Sequence, residues 1–369
     1  MWIHEHLSWP NFTWDAQALT DKLAAVRHQQ GRLLGRMQGL GIALRREASL
    51  VTLTEDVVKS SAIEGETLNR ADVRSSIIRR LGLVGFGELR PASRDVEGIV
   101  EIILDATQRS FAPLTKDRLC GWHAALFPTG RSGMYSITVG NWRTPDAGPM
   151  QVVSGPIGRE KIHFEAPSAD RLEKEMQVFL QWFDNKNGTD PVIKAGIAHL
   201  WFVTIHPFED GNGRIARAIS DMALACADGA QERFYSMSAQ IEAEHRHYYQ
   251  HLERQQRSKP DITDWLKWFL ACLERAIDST ETKIGNVLFK AKLWDSINQN
   301  PVNERQRLII NRMLEDDFVG FMNTSKYAKL AKCSQDTALR DIQGLQEREI
   351  LIKNPGGGRS TSYRLPDKQ

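Results

Sequence analysis

The sequence predicts a mainly α-helical protein that contains one small β-hairpin and ends in a winged helix-turn-helix. Three observations predict this fold class. Apolar residues recur three and four positions apart over most of the chain. Two β-prone runs, MQVVSG and EKIHFEA, flank a short turn. The last third combines short helical segments with ILIKNPGGGRSTSYRL, in which two β-prone arms flank a glycine tip.

These elements fall into three predicted regions. Residues 1–91 form a helical region, because TDKLAAVRHQQGRLLGRMQGL and TLTEDVVKSSAIEGE have helical spacing and the glycine-rich LGLVGFGELRP follows them. Residues 92–278 form a second helical region, which contains the hairpin. A polar stretch separates it from residues 287–369, the helix-turn-helix region with its wing.

Composition limits the classes of function. A net charge of +2 over 369 residues does not indicate wholesale nucleic-acid binding. The four cysteines form no C-x-x-C pair, which argues against a disulfide framework and a cysteine zinc site. The opening stretch MWIHEHLSWP lacks the features of a signal peptide, and no apolar stretch is long enough to cross a bilayer. We therefore expect a cytoplasmic protein that is not embedded in a membrane.

The strongest chemical signal is the stretch HPFEDGNGRIAR, residues 206–217. It follows an apolar helix that Asp190 and Pro191 are expected to start. A second helix resumes directly after it, and the free N–H groups at a helix N-terminus attract anions. Arg214 and Arg217 are cations at an end of the helix that normally disfavours them, so they predict a bound anion such as phosphate.

The same stretch contains groups suited to catalysis. A carboxylate such as that of Asp210 suits Mg²⁺ bridging phosphates. The imidazole of His206, with a pKa near neutrality, can take a proton from an attacking hydroxyl. Together they predict phosphoryl or nucleotidyl transfer. The alternative interpretation is a glycine-rich turn whose histidine caps a helix and whose arginines pair with acids elsewhere.

Residues 206–217 resemble the signature of the Fic family, H-x-F-x-[DE]-G-N-G-R-x-x-R, at every specified position. The resemblance covers roughly Ala92–Ile277 and implies the family's helical core with a β-hairpin flap. Family members typically transfer AMP from ATP to a Ser, Thr or Tyr hydroxyl of a protein. By this resemblance His206 is the base, Phe208 the buried anchor of the loop, and Asp210 the Mg²⁺ ligand.

The resemblance also assigns the ATP-binding residues. Gly211, Asn212 and Gly213 would cradle the phosphates. Arg214 would contact a phosphate, and Arg217 would engage the γ-phosphate. The hairpin would be the flap that docks the target segment by strand addition.

Tyr248 and Tyr249 lie where Fic-like chains often place a residue that lines the adenine pocket, and an aromatic face can stack on a base. We assign this position to Tyr249, with core packing as the equal alternative for either residue. A donor other than ATP, such as UTP or GTP, is a further alternative.

A second motif, SSAIEG, contains Ser60, Glu64 and Gly65. Taken alone, it is equally well a capped helix end. Beside a Fic-like core it resembles the family's inhibitory motif, [ST]-x-x-x-E-[GN], on an inhibitory helix at about residues 52–65. A carboxylate of Glu64 paired with Arg217 would occupy the guanidinium that the γ-phosphate needs. The same glutamate could help a water remove AMP from a modified target.

The C-terminal region has a moderate excess of positive charge. Nine Lys or Arg and five Asp or Glu lie between residues 323 and 369. Ser334 is expected to cap the second helix, from which Arg340 would project, and Arg359 lies at the predicted wing tip. DNA binding is one interpretation, and dimerisation or protein docking is the other.

The combined prediction is a protein adenylyltransferase that uses ATP and Mg²⁺, modifies a hydroxyl of a target protein or of itself, and is inhibited by Glu64. Further expected partners are DNA, through the C-terminal region, and a second copy of the chain in a homodimer. The alternative function is a DNA-binding transcriptional regulator whose Fic core senses a nucleotide without turnover.

Overall fold

The computed structural model describes most of the chain, namely residues 1–83, 85–86, 89–156, 159, 161–185, 188–230, 232–314, 318, 320–355 and 361–366. It divides into two units, Met1–Glu281 and Thr282–Gln369. The boundary expected near residue 91 lies inside the first unit. The fold is mainly helical with small two-stranded sheets, which confirms the mainly helical part of the prediction.

The first unit is built from helices with two short hairpins between them. Its α-helices are α1 (Ala16–Gln38), α2 (Ile42–Ile63), α3 (Arg70–Leu81), α4 (Arg94–Gln108), α5 (Lys116–Leu126), α6 (Leu172–Asp184), α7 (Pro191–Ile205), α8 (Asn212–Asp228), α9 (Met237–Ala243) and α10 (His245–Gln256). Its strands are β1 (Arg131–Ser132), β2 (Tyr135–Ser136), β3 (Gln151–Ser154) and β4 (Lys161–Glu165). Short 3-10 helices lie at Ile3–Glu5, Pro145–Ala147 and Ala169–Arg171.

Helix α7 forms the centre of the first unit. It begins as predicted, because the Asp190 carboxylate accepts a hydrogen bond from the Val192 N–H at 2.8 Å and Pro191 occupies the first helical position. Its side chains are apolar on every face and nearly all are buried, as in a core helix. It packs against α8, so the loop that joins the two helices is supported from behind.

Helix α2 packs against α4, α8 and α9. Its range is longer than the predicted inhibitory helix, since it starts ten residues before Thr52. The run IALRREASL contains no residue that would break a helix, and Gly41 supplies the N-cap position. The helix ends at Ile63, and Gly65 has a φ of +81°, a conformation that favours glycine.

Strands β3 and β4 form the predicted antiparallel hairpin. The pairing joins Val152 to Phe164 and changes register after Val152, which indicates a β-bulge. Phe164 is buried and lies edge-on to the Trp2 ring, at 5.4 Å between centroids. Val153 and Ile162 are exposed. The hairpin therefore has one packed and one free apolar surface, and its role as a flap stays a prediction.

Helix α11 (Thr263–Gln299) crosses the expected division between the second and third regions. Residues 279–286 were expected to separate two regions, but they are helical within α11. Their threonines, glutamate and lysine are compatible with a helix, and no proline interrupts them. The division between the two units, after Glu281, nevertheless falls within these residues.

The second unit contains α12 (Glu304–Met313), α13 (Thr324–Leu330), α14 (Gln335–Glu347) and the antiparallel strands β5 (Ile352–Lys353) and β6 (Tyr363–Arg364). Its own core includes Ile309, Tyr327, Ile342 and Leu345. Ser334 caps α14, as predicted, by accepting a hydrogen bond from the Thr337 N–H at 3.2 Å.

Two predictions for the second unit stay open. Arg359, placed at the wing tip, lies outside the described residues. The name winged helix stays a prediction for the arrangement of α13, α14, β5 and β6. Among the described residues, no helix is both long and apolar enough to cross a membrane.

Candidate active site

His206 ends α7 in a left-handed conformation, with a φ of 53°, which turns the chain into the loop. Its Nδ1 lies 3.1 Å from the Val203 carbonyl oxygen, and a carbonyl can only accept, so Nδ1 carries the proton. Nε2 then has the free lone pair of a neutral imidazole. Burial lowers the pKa of His206 below its usual value of 6.5, which favours this neutral form at pH 7.

Two side chains close the loop on itself. Phe208 is fully buried, as predicted for an anchor, and its ring stacks on the His123 ring at 4.1 Å with an interplanar angle of 3°. Asn212 accepts a hydrogen bond from the Phe208 N–H at 3.0 Å and donates one to the Phe208 carbonyl at 2.8 Å. The Asn212 side chain is therefore used within the loop, so any contact it makes with phosphate would come from its backbone.

The two glycines of the loop allow neighbouring side chains to pack directly against the backbone, where any larger residue would collide with them. Gly211 has a φ of +79°, and an added Cβ would lie 2.9 Å from a ring carbon of Phe127. A Cβ on Gly213 would lie 2.3 Å from Oε1 of Glu64 and 3.2 Å from Nη1 of Arg217. A carboxylate of this chain thus lies directly against the first turn of α8.

Arg217 contacts Glu64, the residue predicted to pair with it, and also Ser60 of the same motif. Its side chain is 2% exposed, and its Nη2 donates to Oε1 of Glu64 at 2.7 Å. Nε donates to the Ser60 hydroxyl at 3.0 Å, and Nη2 also donates to the Ser60 carbonyl at 2.9 Å. Burial acts to lower the pKa of Arg217, but the charge and hydrogen bond of Glu64, together with Tyr248 and Tyr249, raise it above its usual value.

Arg214 has a partner that the sequence analysis missed. Its Nη1 donates to both carboxylate oxygens of Glu66, at 2.9 and 2.8 Å. Its guanidinium also lies over the Phe127 ring, 5.2 Å from the centroid. Nε of Arg214 and Nη1 of Arg217 have no hydrogen-bond acceptor within the part of the chain that the structure describes. Both arginines therefore retain a buried donor.

Asp210 is oriented by a neighbouring hairpin. The Ser132 hydroxyl, on β1, donates to Oδ2 of Asp210, and the Gly211 N–H lies 2.6 Å from Oδ1. The described residues contain no group of three or more His, Cys, Asp or Glu side chains that could hold a metal ion. Mg²⁺ commonly binds through one or two carboxylates together with substrate phosphates. The single carboxylate of Asp210 fits that mode.

Arg143 is a second residue that the sequence analysis missed. It is buried, its Nε donates to the His206 carbonyl at 2.9 Å, and its backbone N–H donates to the Pro207 carbonyl at 2.9 Å. Its Nη2 donates to the Pro167 carbonyl. Burial lowers its pKa to about 10, so it remains charged at pH 7. Arg143 fixes the backbone at the start of the loop, and no motif in the sequence marks it.

The two tyrosines differ in position. Tyr248 is buried, and its hydroxyl lies 2.9 Å from Nε2 of His199. Tyr249 is 43% exposed, and its hydroxyl lies 3.5 Å from the Ile63 carbonyl at the end of α2. The exposed ring of Tyr249 is available to a ligand, while its role at an adenine pocket stays a prediction.

Comparison with known families places this loop in a defined domain. A model described as the Fic/DOC family matches residues 113–224, which include the whole loop. A model described as a domain of unknown function (DUF4172) matches residues 2–83, which include Ser60, Glu64 and Glu66. The chain therefore contains a Fic/DOC domain.

Curated relatives carry the name protein adenylyltransferase Fic. The one from Nematostella vectensis is 33% identical over 115 residues, which are 31% of this chain and 25% of that protein. The one from Aedes aegypti is 26% identical over 270 residues, which are 68% of this chain and 46% of that protein. The chain thus spans less than half the length of these relatives.

Solved structures share the fold. A Fic family protein from Desulfovibrio desulfuricans G20 aligns with a TM-score of 0.55 and 21% identity, over 98% of this chain and 99% of that one. A Fic domain containing signaling protein from Bacteroides thetaiotaomicron VPI-5482 aligns with a TM-score of 0.51 and 19% identity, over 69% and 95% of the two chains. At these identities the likeness extends to the fold alone.

Proposed function

We propose that the protein is a protein adenylyltransferase, which transfers AMP from Mg-ATP to a Ser, Thr or Tyr hydroxyl of a target protein and is inhibited by Glu64. One observation carries the proposal. The Glu64 carboxylate, an anion, lies between Gly213 and the buried guanidinium of Arg217. The site therefore accommodates a negative group at the N-terminus of α8, and in this state the group belongs to the chain itself.

A triphosphate suits the site better than a carboxylate does. Arg214 and Arg217 are both more than nine-tenths buried at the first turns of a helix, where cations are normally disfavoured. Each retains a donor that has no acceptor among the described residues. An anion with several oxygens, placed where Glu64 lies, could accept from both arginines and from backbone N–H groups of the helix.

His206 supplies the proton acceptor for transfer. Its Nε2 would take the proton from the target hydroxyl as the hydroxyl oxygen forms a bond to the α-phosphorus of ATP. The bond from that phosphorus to the bridging oxygen breaks, and pyrophosphate leaves with the electron pair. Mg²⁺, which Asp210 would hold, neutralises charge on the phosphates when it is bound. Arg143 keeps the His206 backbone fixed during the step.

Glu64 would inhibit by displacing the γ-phosphate from Arg217. In-line transfer requires alignment, and a misplacement of about 1 Å can lower the rate on the order of a hundredfold. The same position would let Glu64 orient a water toward AMP on a modified target, so AMP removal belongs to the same proposal.

The test compares Glu64→Gly with the wild type in a labelling assay that uses α-³²P-ATP. We expect Glu64→Gly to raise AMP incorporation into the protein or into lysate proteins about a hundredfold, because Arg217 becomes available to the γ-phosphate. Adding His206→Asn should then lower incorporation by roughly 10²–10⁴-fold. Asparagine is chosen because it tolerates the left-handed backbone at this position.

A matched control is Glu242→Gln. It removes the 3.1 Å pair between Lys59 on α2 and Glu242, without touching a loop arginine. This variant should label like the wild type. Equal labelling by Glu64→Gly and the wild type would contradict the inhibitory role of Glu64, and labelling that survives His206→Asn would contradict the role of His206.

A further inference from the structure

We propose that Glu66 is a second inhibitory carboxylate, which occupies Arg214 while Glu64 occupies Arg217. The inference rests on the proposed function, because it concerns the same anion site. It adds that nucleotide entry breaks two carboxylate–guanidinium pairs, and that the pair of Glu66 with Arg214 chiefly lowers the affinity for ATP.

The end of α2 places both glutamates. The Gly65 N–H donates to the Ala62 carbonyl at 3.0 Å, and the Glu66 N–H donates to the Ser61 carbonyl at 3.0 Å. These two bonds are those of a Schellman motif, with Gly65 as its left-handed residue. The motif reverses the chain after Glu64, so Glu64 and Glu66 both face the start of α8. Their positions are therefore set by backbone hydrogen bonds.

The two arginines are matched to the two glutamates. Arg214 and Arg217 are three residues apart, and side chains at that spacing are neighbours on a helix surface. Nη1 of Arg214 donates to both oxygens of Glu66. A phosphate that used Nη1 would have to displace Glu66. Nε of Arg214, by contrast, has no acceptor among the described residues.

The two pairs differ in exposure and so in their expected effect. The Glu66 side chain is 46% exposed and that of Glu64 is 31% exposed. Arg214 also lacks the two additional bonds that Ser60 accepts from Arg217. A nucleotide should therefore displace Glu66 from Arg214 more readily than it displaces Glu64 from Arg217. Its removal should change the dissociation constant for ATP more than it changes alignment.

The experiment measures the affinity for Mg-ATP by calorimetry, with every variant in a His206→Asn background so that ATP is not consumed. Glu66→Gln should tighten binding roughly two- to fivefold, the range expected when a half-exposed ion pair no longer competes. Glu66→Asp keeps the charge on a shorter side chain, so its affinity for ATP should lie between those of the background protein and Glu66→Gln. The control Glu242→Gln removes one negative charge from the pair with Lys59, whose side chains are 33% and 34% exposed, and should leave the affinity unchanged.

A double-mutant cycle identifies the partner. If Glu66 acts through Arg214, then Glu66→Gln should have no effect on ATP affinity once Arg214→Gln is present. Should Arg214→Gln fail to fold, the comparison of Glu66→Gln with Glu242→Gln decides alone. Equal affinity of Glu66→Gln and its background protein, or an equal gain from Glu242→Gln, would overturn the inference.

The outcome is separable from that of the proposed function. Tighter ATP binding by Glu66→Gln without AMP transfer by Glu64→Gly would reject the enzymatic proposal and leave the inference in place. AMP transfer by Glu64→Gly together with an unchanged ATP affinity of Glu66→Gln would support the enzymatic proposal and reject the inference about Glu66.

Discussion

The protein buries positive charge in two regions of the first unit, and the regions neutralise it differently. Arg233 is 0% exposed and pairs with Asp221 at 3.1 Å and Asp228 at 3.2 Å, both of them 1% exposed. It also lies over the Tyr235 ring, 4.5 Å from the centroid. At the loop, Arg217 is as deeply buried, but its carboxylate partner reaches solvent.

The exposure of the carboxylate partners distinguishes the two arginines. We interpret Arg233 as a structural charge and Arg217 as a charge whose partner can be exchanged. Asp221 and Asp228 belong to α8, and Asp56 of α2 adds a third buried carboxylate to the cluster around Arg233. The side chains of Asp221 and Asp228 are almost completely buried, so water competes little with them for Arg233. The side chains of Glu64 and Glu66 are 31% and 46% exposed at the end of α2, so in the proposed function a ligand replaces them. In the proposed function, α8 thus has an exchangeable anion site at its start, whereas the ion cluster toward its end is structural.

The largest effect should come from Arg233→Met. Removing one partner of a buried ion pair leaves its acids without a counter-charge, which costs about 3–5 kcal/mol in the free energy of unfolding. Arg217→Met should cost less, because Glu64 can regain contact with water. Urea denaturation of both variants measures the two losses. Equal losses would remove the distinction between the two regions.

A smaller effect should appear in the pH dependence of stability. Burial raises the pKa of Asp221 from 3.8 to about 6 and also raises the pKa of Asp56. Between pH 3.8 and about 6, the folded state therefore binds more protons than the unfolded state. The free energy of unfolding therefore falls as pH rises from about 4 to about 6, on the order of 2 kcal/mol. Asp221→Asn should flatten this slope, and an unchanged slope would contradict the assignment.

The smallest effect should come from Glu64→Gln. The pair is partly exposed, and Arg217 keeps both bonds to Ser60. We expect a loss of less than about 1 kcal/mol in the free energy of unfolding, measured by the same denaturation. A loss as large as that of Arg233→Met would show that Glu64 is a structural counter-ion, and would count against its role as an exchangeable one.

Local patterns made much of this site predictable. The start of α7, the loop from His206 to Arg217, the hairpin and the cap of α14 each depend on residues close together in the chain. The pairing of Glu64 with Arg217 was expected only because the motif resembled a known one. The helix before the SSAIEG motif starts at Ile42, ten residues before the predicted start, because IALRREASL contains no residue that breaks a helix.

Contacts between distant residues could not be predicted. Arg143 bonds to a carbonyl 63 residues away, and Glu66 to an arginine 148 residues away. Ser132 and the cluster around Arg233 likewise depend on how helices and hairpins pack. Such residues have ordinary types at ordinary spacing, so only the folded chain identifies them.

Glu64 and Glu66 directly follow α2, so in the proposed mechanism their contacts depend on the position of that helix. Helix α2 has 22 residues and so extends about 33 Å. An axial slide by one residue, about 1.5 Å, would lengthen the contacts to Arg214 and Arg217 together. The buried bond between Asp56 and Ser236 resists such a slide near the midpoint of the rod. Under the proposed inhibition, the state of the loop is thus coupled to the axial position of α2.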